Sequence, residues 1–135
     1  MLRIQREKNM RDGTKLRGIH VLVIEDDQLT RHFLRSVLES SGAIVTAVAT
    51  ADAVRAALIA DVMVCDLASA ELAGREFLPQ LQSLHARIGR AVPVVAMVPP
   101  GTPGARARAA GFGMSVVKPV DVDELGAMVL EATRH

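Results

Sequence analysis

The sequence predicts an α/β fold in which five parallel strands alternate with five helices in one domain. Three observations carry this. Short apolar runs recur from Gly18 onward, each is followed by a stretch whose apolar residues have helical spacing, and the run Val92–Val98 is apolar on both faces. Alternation of this kind marks βαβ units, and a strand apolar on both faces belongs to a sheet covered by helices on both sides. At 135 residues, 50% of them hydrophobic, the chain is sized for a single core.

The elements follow in order. Strand 1 is read over Ile19–Ile24. Helix 1, over Gln28–Ser41, takes Asp27 as its N-cap, places Leu29, Phe33, Leu34, Val37 and Leu38 on one buried face, and ends at Gly42. Strand 2 covers Ala43–Val48. Thr50 then caps helix 2, whose buried stripe is Ala53, Val54, Ala57 and Leu58. Strand 3 covers Asp61–Asp66, and a loop to Gly74 leads into helix 3 with Phe77, Leu78, Leu81 and Leu84. Pro79 falls early in that helix, where a missing donor costs least.

Strand 4 is Val92–Val98, followed by the loop Pro99–Gly104. Thr102 and Pro103 are placed as N-cap and first residue of a short helix 4 ending near Ala110 and Gly111. Strand 5 is Met114–Val117, and helix 5, over Asp121–Thr133, buries Leu125, Met128, Val129 and Ala132.

Composition excludes several classes. The longest apolar stretch is interrupted by Pro93 and is far shorter than the ~20 residues that cross a bilayer. The N-terminus is basic and polar with no apolar segment behind it, so no secretory signal is read. A single cysteine forbids an internal disulfide or a thiolate metal cluster. These features point to the cytoplasm. The net charge of +1 divides unevenly: residues 1–18 hold six Lys or Arg against two acids, +4, leaving −3 for the rest. Residues 1–17 are therefore read as a basic, flexible arm and 18–135 as the folded domain. With no Trp or Tyr, and Phe only at Phe33, Phe77 and Phe112, base-stacking platforms for nucleic acid are missing.

Charge is placed at strand ends. Glu25 and Asp26 follow strand 1, Asp66 closes strand 3, and Lys118-Pro119 follows strand 5. In a parallel sheet these positions share the carboxyl edge, where open α/β folds bind ligands. Carboxylates brought together raise one another's pKa unless a cation neutralises them. Mg²⁺ suits such a set, since it takes oxygen ligands and keeps several waters. Asp66 can then act as nucleophile toward a phosphoryl group, with Lys118 balancing the charge that builds on the oxygens. Cys65 alternates away from Asp66 and is read as a small buried hydrophobe. His20, His32, His85 and His135 have no metal-ligand spacing and are read as structural or exposed.

The segments His20–Asp27, Asp61–Leu67, Pro93–Val98 and Ala110–Asp121 together resemble the CheY-like receiver domain of bacterial two-component response regulators. The wording around Gly111–Leu125 is especially similar to receivers of hybrid sensor histidine kinases. The resemblance spans about residues 18–133 and implies a flavodoxin-like (βα)5, doubly wound sheet of order 2-1-3-4-5, the architecture the receiver illustrates among doubly wound folds. It assigns Asp66 as phosphoacceptor, Asp26 as direct Mg²⁺ ligand, Glu25 as an acid holding the metal through water, Ala68 as a backbone-carbonyl ligand and Lys118 as the phosphoryl contact. It also implies a cis peptide at Lys118-Pro119, which proline makes chemically accessible.

Two positions depart from the family pattern. Receivers usually carry Thr or Ser at the end of strand 4, where this chain has Val98, and an aromatic on strand 5, where it has Ser115. A hydrogen bond to a charged group is worth ~1.5–3 kcal/mol, roughly ten- to hundredfold in an active-state population. The residues after Asp66 read Leu67-Ala68-Ser69-Ala70, without the frequent Met-Pro pair. Ser69, Thr102 and Ser115 carry hydroxyls, but none at the matching position.

The leading expectation is a single receiver, phosphorylated on Asp66 by a sensor histidine kinase or phosphotransfer protein, with Mg²⁺ required and an atypical switch. It would be no enzyme beyond catalysis of its own phosphorylation and dephosphorylation. No DNA-binding domain is read, so the signal would pass to a downstream protein or a homodimer through helix 4, strand 5 and helix 5. The alternative is a phosphorylation-independent, receiver-like interaction module. A haloacid-dehalogenase-type phosphohydrolase is disfavoured because the residue two after the nucleophile is Ala68 and not Asp. A dinucleotide-binding domain is disfavoured because acids, not a glycine-rich loop, follow strand 1.

Overall fold

A computed structural model describes residues 15–49, 58–68, 77–103 and 112–134. In chain order the elements are β1 (His20–Ile24), α1 (Gln28–Ser40), β2 (Ile44–Val48), β3 (Val62–Asp66), α2 (Phe77–Ile88), β4 (Val94–Val98), β5 (Met114–Val117) and α3 (Val122–Ala132). The five strands form one sheet in the order β2-β1-β3-β4-β5, and every pairing is parallel. This is the doubly wound, flavodoxin-like order expected. The sequence's helix 3 and helix 5 are α2 and α3. Its helix 4, and helix 2 up to residue 57, lie outside the described residues.

Each face of the sheet carries its own core. On one, Val21, Val23, Val64, Val95 and Val116 pack with Leu34 and Leu38 of α1 and Leu125 and Val129 of α3. On the other, Leu22, Ile24, Met63, Ala96 and Val98 pack with Leu81 of α2 and Phe112. Central strands with both faces covered must be apolar throughout, and β3 is buried along its whole length. Each fully buried Leu, Ile or Met side chain contributes ~1.5–3 kcal/mol of hydrophobic stabilisation.

Boundaries move where the backbone requires it. β4 starts at Val94, because Pro93 has no N–H to enter the ladder; its carbonyl instead accepts from Met63 N–H at 2.9 Å. Asp121 caps α3 by accepting from Glu124 N–H, and so lies before the helix.

Two core assignments are corrected. Leu29 is 82% and Phe33 51% exposed, although both were expected on the buried face of the first helix. The strip against the sheet is centred between Leu34 and Leu38; at ~100° per residue Phe33 points roughly 120° and Leu29 roughly 160° away from it. The apolar arc of α1 is simply wider than its contact. Leu58 is 54% exposed, not part of a buried stripe. It sits in a turn entering β3, held by Arg90, which donates to the Leu58 and Ala60 carbonyls at 3.1 and 3.0 Å, and there Ala60 is the residue turned inward. In the segment read as the basic arm, Leu16 is fully buried in the α1 and α3 core, and its N–H donates to Ser41 O at 2.7 Å. Residues 1–14 lie outside the described residues.

Candidate functional site

The register that aligns the sheet also aligns its carboxyl edge. Ile24 pairs with Cys65, Asp66 with Met97 and Val98 with Val117, so the residues that follow β1 and β5 meet the last residue of β3. Glu25 extends β1 by one bond, donating its N–H to Val48 O at 3.0 Å, and is 1% exposed. Its Oε1 accepts from Asp27 N–H at 3.1 Å, and its Oε2 accepts from Lys118 Nζ at 3.0 Å. Asp66 is 5% exposed, and its Oδ1 lies 2.6 Å from Lys118 Nζ. Lys118 is fixed by its own N–H, which donates to Val98 O at 2.7 Å, and its peptide to Pro119 is cis, as expected. Asp26 is exposed beside the pair. Glu25, Asp26 and Asp66 offer carboxylate oxygens that all lie within 4.8 Å of one another.

Glu25 and Asp66 thus share the Lys118 ammonium, with Asp26 beside them. Burial raises the Glu25 carboxyl above its ordinary range; the Lys118 and Asp27 hydrogen bonds oppose this, and the Asp66 charge adds to it. Burial also works against the Lys118 ammonium, but its hydrogen bonds to Asp66 and Glu25 outweigh the penalty and leave its pKa above the usual lysine value. The donor set is oxygen only. Oxygens on one octahedral Mg²⁺ lie up to about 4.2 Å apart, so a set gathered this closely fits that ion with small side-chain movement.

Asp27 is occupied otherwise. Its Oδ2 accepts from Thr30 N–H at 2.9 Å and from Thr30 Oγ1 at 2.6 Å, the N-cap expected for this helix, and those bonds lower its pKa. Cys65 is fully buried in the α2-side core, and burial pushes its thiol up to about 12, so no thiolate nucleophile stands beside Asp66. His85 Nε2 accepts from Val92 N–H at 3.0 Å, and His20 Nε2 meets Thr46 Oγ1 at 3.0 Å, both structural roles. His32 is exposed, and His135 lies outside the described residues.

A family model for the response regulator receiver domain matches residues 21–130. The chain belongs to that family. It is 33% identical over 119 residues to an uncharacterized 14.6 kDa protein from the sodA1 3′ region of Leptolyngbya boryana, across 84% of this chain and 89% of that one. Its fold is similar to the receiver domain of the response regulator Ssk1, crystallised with the histidine phosphotransfer protein Ypd1 of Saccharomyces cerevisiae. That match has a TM-score of 0.74 at 21% identity and covers 86% of this chain and 89% of that one. It is also similar to a variant of the receiver domain of the histidine kinase CKI1 from Arabidopsis thaliana, with a TM-score of 0.75 at 19% identity over 93% and 95% of the two chains.

Within this receiver the structure brings together Glu25, Asp26, Asp66 and Lys118. Of the two switch positions, Val98 touches this network through its carbonyl, which accepts from Lys118 N–H at 2.7 Å. Val98 closes β4 with a side chain 4% exposed, while Ser115 is exposed on β5 opposite Ala96. Ala68 is exposed two residues beyond Asp66. Arg31 was not anticipated: its Nη1 donates to Glu25 O at 2.9 Å and reaches Asp26 O at 3.5 Å. The available signal was a basic residue one turn into the helix that follows an acid pair.

Proposed function

We propose that this chain is a phosphorylation-dependent receiver, taking a phosphoryl group onto Asp66 from a sensor histidine kinase or histidine phosphotransfer protein. The observation that carries the reading is the pairing of the Asp66 carboxylate with Lys118 inside a triad of acids. An Asp66 oxygen forms a bond to phosphorus as the phosphorus–nitrogen bond of the donor phosphohistidine breaks and its electron pair returns to the imidazole. Lys118 stands where it can balance charge on the transferred oxygens. Glu25 and Asp26, with Asp66 and the Ala68 carbonyl, would hold Mg²⁺. Bound Mg²⁺ supplies neutralisation of the carboxylates and of the phosphoryl oxygens.

The reading places the receiver from Lys15 onward, with Leu16 in its core, and the basic residues before it as an arm, in the cytoplasm, with no activity beyond turnover of its own phosphoryl group. No helix among the described residues is long and apolar enough to cross a membrane. A donor protein must bring its histidine to the carboxyl edge, so it must cover the surface around Asp26. Leu29 and Phe33, exposed on α1 directly after the acids, give that surface an apolar foothold. Incubation with acetyl phosphate and Mg²⁺ is expected to add one phosphoryl group by mass, and Asp66→Asn to abolish it. No gain, or a gain that survives the substitution, rejects the reading.

A second reading has its own observation. Val98 has no hydroxyl, and Ser115 is turned to solvent in place of the family's aromatic. Phosphorylation without a conformational response would make the chain a receiver-shaped interaction module. Beryllofluoride with Mg²⁺ separates the two: binding with no shift in oligomeric state or backbone amide resonances supports the module, and a shift supports the regulator. Output through helix 4, β5 and α3, to a downstream protein or a second copy, belongs to the regulator reading alone.

A further inference from the structure

We infer that Arg31 is a positioning residue that aims the Glu25 and Asp26 carboxylates, and so sets the affinity of the site for a divalent cation, without itself touching cation or phosphoryl group. The inference rests on the Mg²⁺ reading above. Arg31 is itself held in α1, where its N–H donates to Asp27 O at 2.8 Å. From there its guanidinium turns back to β1, donating to the Glu25 carbonyl at 2.9 Å and reaching the Asp26 carbonyl at 3.5 Å. Those two carbonyls belong to the peptide planes that follow the two acids, so holding them fixes the backbone from which both side chains project. Two further ties hold this segment: Glu25 N–H on Val48 O, and Asp27 N–H, on the peptide plane after Asp26, on Glu25 Oε1. Arg31 is the side chain that reaches the Asp26 carbonyl, and Asp26 is the exposed acid of the three.

Groups that orient metal ligands from behind typically change affinity 10–100-fold when removed. The 3.5 Å distance to Asp26 is long for a hydrogen bond, which places the expected loss near the lower end, about tenfold. The test titrates Mg²⁺ alone into the parent, Arg31→Met, Arg31→Lys and Arg35→Ala, following the backbone amide resonances of Glu25, Asp26 and Asp66. Arg35 is on the same helix but pairs outward with Glu39 at 2.7 Å, so its variant controls for a general loosening of α1. Arg31→Met is expected to bind Mg²⁺ about tenfold more weakly with its circular dichroism spectrum unchanged. Arg31→Lys, which keeps a donor able to reach one carbonyl, falls between it and the parent, and Arg35→Ala matches the parent. Parent binding with Arg31→Met within twofold overturns the inference and leaves the metal reading standing, as does an equal loss in Arg35→Ala. A parent that binds no Mg²⁺ removes the metal reading and the inference together. Should Arg31→Met fail to fold, Arg31→Lys decides alone: affinity equal to the parent overturns the inference.

Discussion

Lys118→Met keeps the length of the side chain and removes its charge, which leaves Glu25 and Asp66 facing each other with no ammonium between them. Lys118 Nζ sits 2.6 Å from Asp66 Oδ1 and 3.0 Å from Glu25 Oε2, with side-chain exposures of 29% for the lysine, 7% for Asp66 and 2% for Glu25. Removing one partner of a buried ion pair costs ~3–5 kcal/mol, and the partial exposure of the ammonium places this case near 3. Coulomb's law gives a consistent figure. Carboxylate oxygens within 4.8 Å repel by about 3.5 kcal/mol or more at an effective dielectric of 20. Acid relieves the strain, because the variant can protonate Glu25. From its ordinary pKa of 4.5, holding a proton costs about 3.4 kcal/mol at pH 7 but only about 0.7 at pH 5. A carboxyl raised in the folded state binds more protons there than when unfolded, so stability falls as pH rises from 4.5 through the folded pKa. The loss in Lys118→Met is therefore about 3 kcal/mol at pH 7 and shrinks to about 1 at pH 5. Urea unfolding of both proteins at the two pH values, without divalent ions, measures it, and added Mg²⁺ is expected to recover part of the loss at pH 7. A cost below about 1 kcal/mol at pH 7, the worth of an exposed pair, or an equal cost at both pH values, refutes the reasoning.

Other expectations test separate parts of the molecule. His85→Phe strips the acceptor from the N–H of Val92, which is 1% exposed, and is expected to cost ~1–3 kcal/mol in urea unfolding at pH 7.5. Burial foremost lowers the pKa of His85 below 6.5, so its contribution is complete above about pH 6.5 and lost as pH falls below it; the variant should lack that slope. Phe33→Ser changes a side chain 51% exposed and should move stability by less than about 0.5 kcal/mol. It should slow phosphotransfer from a phosphorylated histidine phosphotransfer protein while labelling by acetyl phosphate stays unchanged. Val98→Thr places a hydroxyl at a position 4% exposed and should lower stability by ~1–3 kcal/mol without ligand, yet enlarge the rise in melting temperature that beryllofluoride and Mg²⁺ produce.

What the sequence revealed and what it hid follow one physical division. β5 was read at Met114–Val117 and α1 from Gln28, as observed, because turn residues and caps act locally. The gathering of Glu25, Asp26, Asp66 and Lys118 was legible because parallel topology alone forces strand ends to one edge. Leu29 and Phe33 were misassigned because apolar periodicity reports where a helix can be buried, not how wide its partner is. The Arg31 clamp was invisible for a related reason: a side chain reaching back to carbonyls leaves no apolar pattern. Nor does spacing say that Lys118 bonds two carboxylates at once, one of them 93 residues away.

The cost of the cluster bears on why it is there. The two cores stabilise the sheet from either side, and each buried aliphatic in them contributes ~1.5–3 kcal/mol. A buried ion pair replaced by apolar residues of similar volume is often neutral or favourable, so the fold has no need of charge at these strand ends. Glu25, Asp26 and Asp66 gather three carboxylates at the edge of the sheet, and Lys118 bonds two of them. A divalent cation held there, as proposed above, would neutralise those carboxylates whether or not Val98 and Ser115 transmit a signal. On the reading proposed above, phosphate acceptance and its readout rest on different residues, and substitutions at one should leave the other measurable.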